Sequence, residues 1–161
     1  MVVSEAAAET AHPGPLRTVI SADIVAAIVA HARTGYPNEA CGLVIGDGPA
    51  AAGGRAVRFA ACRNRAASPY RYEIDPDDLL RLTVQAEDDD HVFWGIVHSH
   101  VKSPAVPSPT DVGLAFYPDA LYMLVSLAEE HRDPETGEPG VRAWRIVDGR
   151  VHEVQLQVEP A

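Results

Sequence analysis

The stretch Trp94-Gly95-Ile96-Val97-His98-Ser99-His100, followed seven residues later by Ser108-Pro109-Thr110-Asp111, decides how this chain is interpreted. The apolar run 92–97 predicts a short buried strand, and two histidines in an H-x-H pattern come at its end. Because side chains alternate between the faces of a strand, we expect His98 and His100 on one face and Ser99 on the other. Two imidazoles side by side on a strand make half of a tetrahedral zinc site.

The residues after the Pro-rich loop predict the start of a helix. Ser108 suits the N-cap, Pro109 suits the first helical position, and Asp111 lies in the first turn. This geometry directs the Asp111 carboxylate back toward the strand end as a third ligand, and two histidines, one aspartate and one open position are typical of a catalytic zinc site. Each residue by itself has a simpler interpretation: polar histidines at a strand end, a serine that only caps, and an aspartate that only interacts with the helix dipole.

The full pattern, H-x-H, seven residues, Ser, two residues, Asp, with a glutamate upstream, resembles the signature of the JAMM (MPN+) zinc metallopeptidases. His98, His100, Ser108 and Asp111 match it without a gap, and Glu39 lies where that family keeps its upstream acid. The resemblance covers roughly residues 19–158. It implies one Zn²⁺ per chain, bound by the two histidines and the aspartate, with water as the fourth ligand. One difference is that Val101 stands where many members have proline directly after the second histidine.

The resemblance also implies two catalytic residues. Glu39 would act as general base, taking the proton of the zinc-bound water and passing it to the leaving amine. Ser108 would donate a hydrogen bond to the developing oxyanion. Without the resemblance, a glutamate in a turn is expected to be solvated, so only the family pattern favours a catalytic role for Glu39.

Further segments are similar to compact bacterial members of the Mec type, which remove an amino acid, typically cysteine, from the C-terminal glycine of a ubiquitin-like sulfur-carrier protein. These segments are residues 38–43, 107–112, 118–126 and 144–149. The resemblance therefore implies such a carrier as substrate, in cysteine biosynthesis or sulfur transfer. Two alternatives remain open: deubiquitinase-like processing of another ubiquitin-like protein, and a non-catalytic MPN scaffold module, whose usual mark is loss of the ligands that are present here.

The composition narrows the choice of partner. Asp and Glu number 23 against 13 Lys and Arg, a formal net charge of −10, which argues against a nucleic-acid-binding surface. No apolar run approaches the ~18 residues of a membrane span, and the N-terminal residues lack the features of a signal peptide. Two cysteines, Cys41 and Cys62, are too few for a disulfide framework and are expected to be reduced core thiols in a cytoplasmic protein. The sequence leaves a homodimer open.

The remaining pattern predicts a disordered tail over residues 1–15 and a single domain over residues 16–161. Strands are predicted over 16–20, 41–46, 56–62, 70–74, 121–127, 141–147 and 151–158, and helices over 22–34, after Asp75, and over 108–117. Gly35 is expected to end the first helix, and Asp148-Gly149 to form a type I′ turn. We expect an α+β fold with a mixed, mostly antiparallel sheet flanked by helices. The resemblance implies an MPN/JAB-like, cytidine-deaminase-like domain.

Side chains outside the motif are assigned to core or surface. Trp94 and Trp144 are expected in the core. The apolar side of the second helix is predicted to consist of Leu79, Leu80, Leu82 and Val84. The remaining histidines have no partner at ligand spacing and are expected on the surface; they are His12, His31, His91, His131 and His152.

Overall fold

A computed structural model describes residues 15–161, so the predicted tail falls almost entirely outside the described residues. The strands are β1 (Arg17–Ser21), β2 (Cys41–Gly46), β3 (Ala56–Cys62), β4 (Val92–His100), β5 (Leu121–Ser126), β6 (Val141–Val147) and β7 (Arg150–Glu159). The helices are α1 (Ala22–Gly35), α2 (Pro76–Asp88) and α3 (Pro109–Gly113), with short 3₁₀ turns at Ala50–Ala52 and Glu129–His131.

The strands form one sheet in the order β1-β7-β6-β5-β4-β2-β3. Strand β4 lies inside this sheet, antiparallel to β2 and parallel to β5. Apart from the parallel pairs β4–β5 and β1–β7, the neighbouring strands are antiparallel. The prediction of a mixed, mostly antiparallel sheet flanked by helices is therefore confirmed.

The two longer helices belong to two separate hydrophobic clusters, which gives the sheet a core on each face. Ile24 and Ile28 of α1 belong to the same cluster as Met123 of β5. Leu82 of α2 belongs to the second cluster, together with Ile96 and Tyr122. Because β4 has a helix layer on both sides, its last residues are buried although they end a strand. Within residues 15–161, no helix has the length and apolar character needed to cross a membrane.

Several local predictions are confirmed. Strands β2, β3 and β6 have the predicted bounds. The turn between β6 and β7 has positive φ at both central residues, 51° at Asp148 and 74° at Gly149, as a type I′ turn requires. Cys41 and Cys62 are paired in the β2–β3 register, and both are buried free thiols. Trp94 and Trp144 are buried.

The predicted strand over residues 70–74 is wrong. This segment makes only an isolated bridge, between Ile74 and Asn64. The Asn64 side-chain oxygen accepts hydrogen bonds from the backbone N–H groups of Ala66 and Glu73, so it binds the segment into a loop and replaces a strand partner. The alternating pattern of Tyr70-Arg71-Tyr72 instead reflects one exposed and one partly buried tyrosine, because Tyr70 is 83% exposed and Tyr72 packs against the second cluster.

Two helix predictions also need correction. Helix α3 ends at Gly113 and does not continue to Tyr117, since Leu114 and Phe116 are exposed and give a longer helix no apolar face to bury. In α2, Leu82 is buried, but Leu80 and Val84 lie on the solvent side. Both residues are apolar without being core residues, which composition by itself does not reveal.

Gly35 has a role other than the predicted one. It is the last residue of α1 and does not have positive φ, so it is not a left-handed helix cap. A Cβ at this position would lie 2.8 Å from the Cβ of Ala40, and the glycine is therefore needed for close packing. His31 and His91, predicted on the surface, are both partly buried, and His31 Nε2 lies 2.9 Å from the Cys41 carbonyl oxygen. His131 and His152 are exposed as predicted, and His12 lies outside the described residues.

Candidate metal centre

The two histidines of the H-x-H pattern lie at the buried end of β4. His98 is 0% exposed and His100 is 4% exposed, and their Nε2 atoms are 3.1 Å apart. The intervening Ser99 points away, to the other face of the strand, where its Oγ accepts a hydrogen bond from the Ala40 N–H at 2.8 Å. The alternation predicted from the sequence therefore brings the two imidazoles together.

The His100 ring is held in one tautomer. Its Nδ1 lies 2.7 Å from the carbonyl oxygen of Pro104, which can only accept, so Nδ1 is the donor. A neutral imidazole that donates from Nδ1 presents a lone pair at Nε2. A carbonyl partner of this kind is the usual means by which proteins orient a metal-binding histidine.

The His98 ring is held by stacking instead. The ring of Tyr72 lies 4.3 Å from it, centroid to centroid, at an interplanar angle of 20°. Among residues 15–161, His98 Nδ1 has no hydrogen-bond partner. Burial is the main cause that lowers the pKa of His98, which keeps its imidazole neutral and able to act as a ligand.

Asp111 reaches the histidines from the first turn of α3. Ser108 caps this helix: its Oγ accepts from the Asp111 N–H at 3.1 Å, and Asp111 Oδ2 accepts from the Ser108 N–H at 2.8 Å. The same Oδ2 lies 3.3 Å from His98 Nε2 and 3.2 Å from His100 Nε2. Burial raises the pKa of Asp111, but hydrogen bonds from His100 and His98 outweigh it when their Nε2 atoms carry protons, and they hold this pKa well below its usual range. A metal ion would take the place of those protons.

The cluster of His98, His100 and Asp111 has the dimensions of a metal site. Its three ligand atoms are separated by 3.1, 3.2 and 3.3 Å. A tetrahedral ion with bonds of about 2.0–2.1 Å to nitrogen and oxygen places its ligand atoms about 3.3–3.4 Å apart. Two imidazole nitrogens and a carboxylate suit Zn²⁺, and three lone pairs that point at one another while buried need a cation between them. The residues present therefore fit the ion.

Glu39 lies beside this cluster because of the strand register. Cys41 of β2 pairs with His98, and the Ser99 N–H donates to the Ala40 carbonyl oxygen at 2.9 Å, so the next step places Glu39 across from His100. Its side chain is buried, and Oε2 has no hydrogen-bond partner among residues 15–161. Burial raises the pKa of Glu39 to about 7. A solvated glutamate, which the residues alone favoured, is not what the structure has.

An open cavity of about 520 Å³ gives access to this group. Glu39, His100 and Ser108 line it, together with residues of three surface loops, which include Tyr36, Tyr70 and Lys102. The structure thus brings all five predicted site residues to one place. Three of them line the cavity, and the other two, His98 and Asp111, form the cluster with His100.

Two residues that hold the site were not assigned there from the sequence. Tyr72 packs on His98, but its segment was predicted to be a strand, and no spacing motif connects it to the histidines. Ser99 bonds the backbone next to Glu39, and only its position between the two histidines could have indicated this.

A mixed sheet with a His-His-Asp cluster at the end of an inner strand, beside a buried glutamate, defines a domain of the JAB/MPN class. The family model described as prokaryotic homologs of the JAB domain matches residues 21–147, and the chain belongs to this family. The resemblance stated from the sequence is therefore confirmed.

Individual relatives support the same assignment. The CysO-cysteine peptidase of Mycobacterium tuberculosis is 42% identical over 140 residues, which is 87% of this chain and 90% of that protein. The desampylase of Pyrococcus furiosus is 30% identical over 123 residues, 75% of this chain and 76% of that protein. A Desulfitobacterium hafniense protein solved in solution superposes with a TM-score of 0.75 at 29% identity, covering 89% of this chain and 94% of that one.

Proposed function

We propose that this protein is a zinc-dependent peptidase that hydrolyses the amide bond after the C-terminal glycine of a ubiquitin-like sulfur-carrier protein and releases cysteine or another amino acid. The observation that carries the proposal is the convergence of two Nε2 atoms and one Oδ2 atom within 3.1–3.3 Å, next to a buried carboxylate without a partner. The family and the 42% identity to a CysO-cysteine peptidase support the substrate class.

The chain's own side chains have separate tasks in this proposal. Zn²⁺, when bound by His98, His100 and Asp111, supplies a Lewis acid that activates water and polarises the scissile carbonyl. Glu39 accepts the proton of the attacking water and delivers it to the leaving amine. Burial raises its pKa, to about 7 without a bound metal ion, and a carboxyl group shifted upward in this way is suited to both take and give a proton.

Ser108 is proposed to stabilise the oxyanion. Its Oγ already accepts a hydrogen bond from the Asp111 N–H, and this leaves the hydroxyl hydrogen for another acceptor. Because Ser108 lines the same cavity as Glu39 and His100, that acceptor is proposed to be the substrate carbonyl oxygen. A single donor of this kind commonly contributes about 10²–10³ in rate.

A second candidate is processing of another ubiquitin-like protein, in the manner that the name desampylase indicates for the Pyrococcus furiosus relative. The higher identity and coverage of the CysO-cysteine peptidase favour the first candidate. A scaffold without catalysis is disfavoured, because the three ligand side chains are present and converge.

The test is to incubate the zinc-loaded protein with a ubiquitin-like sulfur carrier extended by one C-terminal cysteine, and to weigh the products by mass spectrometry. We expect loss of the mass of one cysteine residue. Glu39→Gln should retain one equivalent of zinc and lose about 10²–10⁴ in turnover. Glu130→Gln, at an exposed position outside the cavity, serves as the matched control and should keep full activity.

Two results would contradict the proposal. Cleavage by Glu39→Gln at the wild-type rate would place the base elsewhere. A zinc-loaded wild-type protein that leaves the cysteine adduct intact but cleaves an isopeptide-linked ubiquitin-like conjugate would favour the second candidate.

A further inference from the structure

One cationic side chain, that of Lys102, lines the cavity at the site, and a second, that of Arg71, lines an adjoining pocket that Asp111 also lines. Lys102 is the one lysine in the sequence, and it lines the cavity formed by Glu39, His100 and Ser108. No arginine lines that cavity. Within residues 15–161, Lys102 forms no ion pair, although the chain carries a net charge of −10. A cation without an acidic partner, in a cleft of an acidic protein, is available to an anionic ligand.

The loop that carries Lys102 is held by hydrogen bonds to the two residues that follow it. The carbonyl oxygen of Ser103 accepts a hydrogen bond from the buried Ser126 hydroxyl at 2.8 Å. The next carbonyl, of Pro104, accepts from His100 Nδ1 at 2.7 Å. The backbone of Lys102 therefore has a set position relative to His100, while its exposed side chain can move within the cleft.

The reach of the Lys102 side chain suits contact with a group one residue beyond the scissile bond. Cα atoms two residues apart, such as those of His100 and Lys102, are at most about 7 Å from each other, and a lysine side chain reaches about 6 Å. If a single amino acid leaves, its α-carboxylate lies about one residue repeat, 3.3–3.6 Å, past the scissile bond. A lysine on the loop that follows the second histidine is thus within reach of that carboxylate.

We propose that Lys102 binds the free α-carboxylate of the departing residue and so makes the enzyme prefer to remove one C-terminal amino acid. This inference rests on the proposed function and adds a specificity determinant to it. An ammonium–carboxylate pair recognises the end of a chain, because an extended or amidated product has no such charge at that position.

The experiment uses two forms of the same carrier, ending in Gly-Cys with either a free carboxylate or a neutral carboxamide. Charge-assisted hydrogen bonds are stronger than neutral ones, but this lysine is solvent-exposed, so we expect about a tenfold preference of the wild-type protein for the carboxylate in kcat/KM. Lys102→Met should reduce this preference to near one through loss on the carboxylate substrate alone. Lys102→Arg should keep part of it.

A matched control and a binding measurement accompany the kinetics. Arg150→Met removes an equal charge from an exposed position that does not line the cavity, and it should keep the tenfold preference. In the zinc-loaded Glu39→Gln protein, the Kd of the carboxylate substrate should be lower than that of the carboxamide. Adding Lys102→Met should abolish that difference.

The outcomes separate this inference from the proposed function. A wild-type protein that cleaves both substrates equally, or a Lys102→Met protein that keeps the preference, overturns the role of Lys102 and leaves the peptidase proposal standing. A reduced rate on both substrates in Lys102→Met also overturns it, since the lysine would then contact another part of the carrier. A zinc-loaded wild-type protein that cleaves neither substrate refutes the proposed function itself.

Discussion

The environment of Glu39 determines the chemistry that its carboxyl group can perform. Oε2 is buried without a hydrogen-bond partner, and this burial opposes ionisation and raises the pKa of Glu39 to about 7. His100 acts in the opposite direction and Asp111 in the same direction as burial. A bound divalent cation would favour the ionised form and bring the pKa below about 7.

We predict a pH dependence of turnover from this residue. A general base must be ionised, so kcat/KM should fall as the pH decreases through the pKa of Glu39. The acidic limb should therefore lie at or below pH 7, and measurement with zinc kept saturating from pH 5 to 9 would locate it. Ser108→Ala should lower kcat/KM at every pH but leave the midpoint of the acidic limb unchanged. An acidic limb that persists at full amplitude in Glu39→Gln would contradict the assignment.

The metal cluster could be predicted from the sequence, whereas the packing around it could not. His98, His100, Ser108 and Asp111 are connected by short spacings along one strand and one helix start, so local geometry places them. Tyr72 lies 26 residues before His98, on a loop, and stacks on its ring only because Asn64 binds that loop in place. Such a contact depends on tertiary structure and leaves no periodic signal.

The junction of β2 and β4 positions the proposed base. Ser99 bonds the Ala40 backbone twice, since its Oγ accepts from the Ala40 N–H and its own N–H donates to the Ala40 carbonyl oxygen. These two bonds extend the β2–β4 pairing past Cys41 and hold Glu39 across from His100.

Ser99→Ala should therefore lower both stability and turnover without loss of zinc. It leaves the buried Ala40 N–H without an acceptor, which costs about 1–3 kcal/mol. Urea denaturation, zinc content and kcat should be measured together. Thr34→Ala is the control, because it also removes a hydroxyl bonded to backbone, but from an exposed helix position. A Ser99→Ala protein with wild-type kcat would show that this junction does not position the base.

Helix α2 begins with a second local network, which is separate from the site. Asp75 caps the helix by accepting from the backbone N–H groups of Asp77 and Asp78. The Asp78 carboxylate accepts from both the side chain and the backbone N–H of Arg63, and these bonds lower its pKa to about 2. The network connects the start of α2 to the end of β3.

Asp78→Asn is expected to lower the free energy of unfolding by about 1–2 kcal/mol at pH 7. This is less than the pKa shift of Asp78 alone implies, because Arg63 is largely exposed and water screens the ion pair. Since the folded pKa is below the unfolded value, this stabilisation is present above pH 4 and is lost as the pH falls from about 4 to 2. Denaturation at pH 7 and pH 2.5 should show the difference shrinking at acid pH. Asp77→Asn, an exposed neighbour in the same turn, should have little effect at either pH. An equal loss from Asp78→Asn at both pH values would refute the linkage.

Most strands of the sheet could be predicted, but the complete order of the seven strands could not. Apolar strands such as β2 and β3 have clear bounds because turn residues flank them. The parallel pairing of β4 with β5 places Ser126 opposite His100, and the Ser126 hydroxyl then holds the loop after β4 through the Ser103 carbonyl oxygen. No local sequence pattern indicates this parallel pairing. The segments predicted wrongly, 70–74 and 114–117, lie beside the site, where exposed aromatic residues such as Tyr70 and Phe116 break the usual relation of hydropathy to burial.

Metal binding should stabilise the whole fold, because the cluster joins an inner strand of the sheet to the start of α3. An ion that binds only the native state adds RT ln(1 + [L]/Kd), about 2.7 kcal/mol at a concentration 100 times Kd. For a chain of this length we expect zinc to raise the Tm of chelator-treated wild-type protein by about 5–10 °C.

Glu39→Gln should show the same rise in Tm with zinc, since Glu39 is not a proposed ligand. His98→Ala should show little or none, whatever its Tm without metal, and His152→Ala, at an exposed position on β7, should behave as wild type. Calorimetry of each protein with and without zinc measures these shifts, and a His98→Ala protein that zinc stabilises as strongly as wild type would remove His98 from the ligand set.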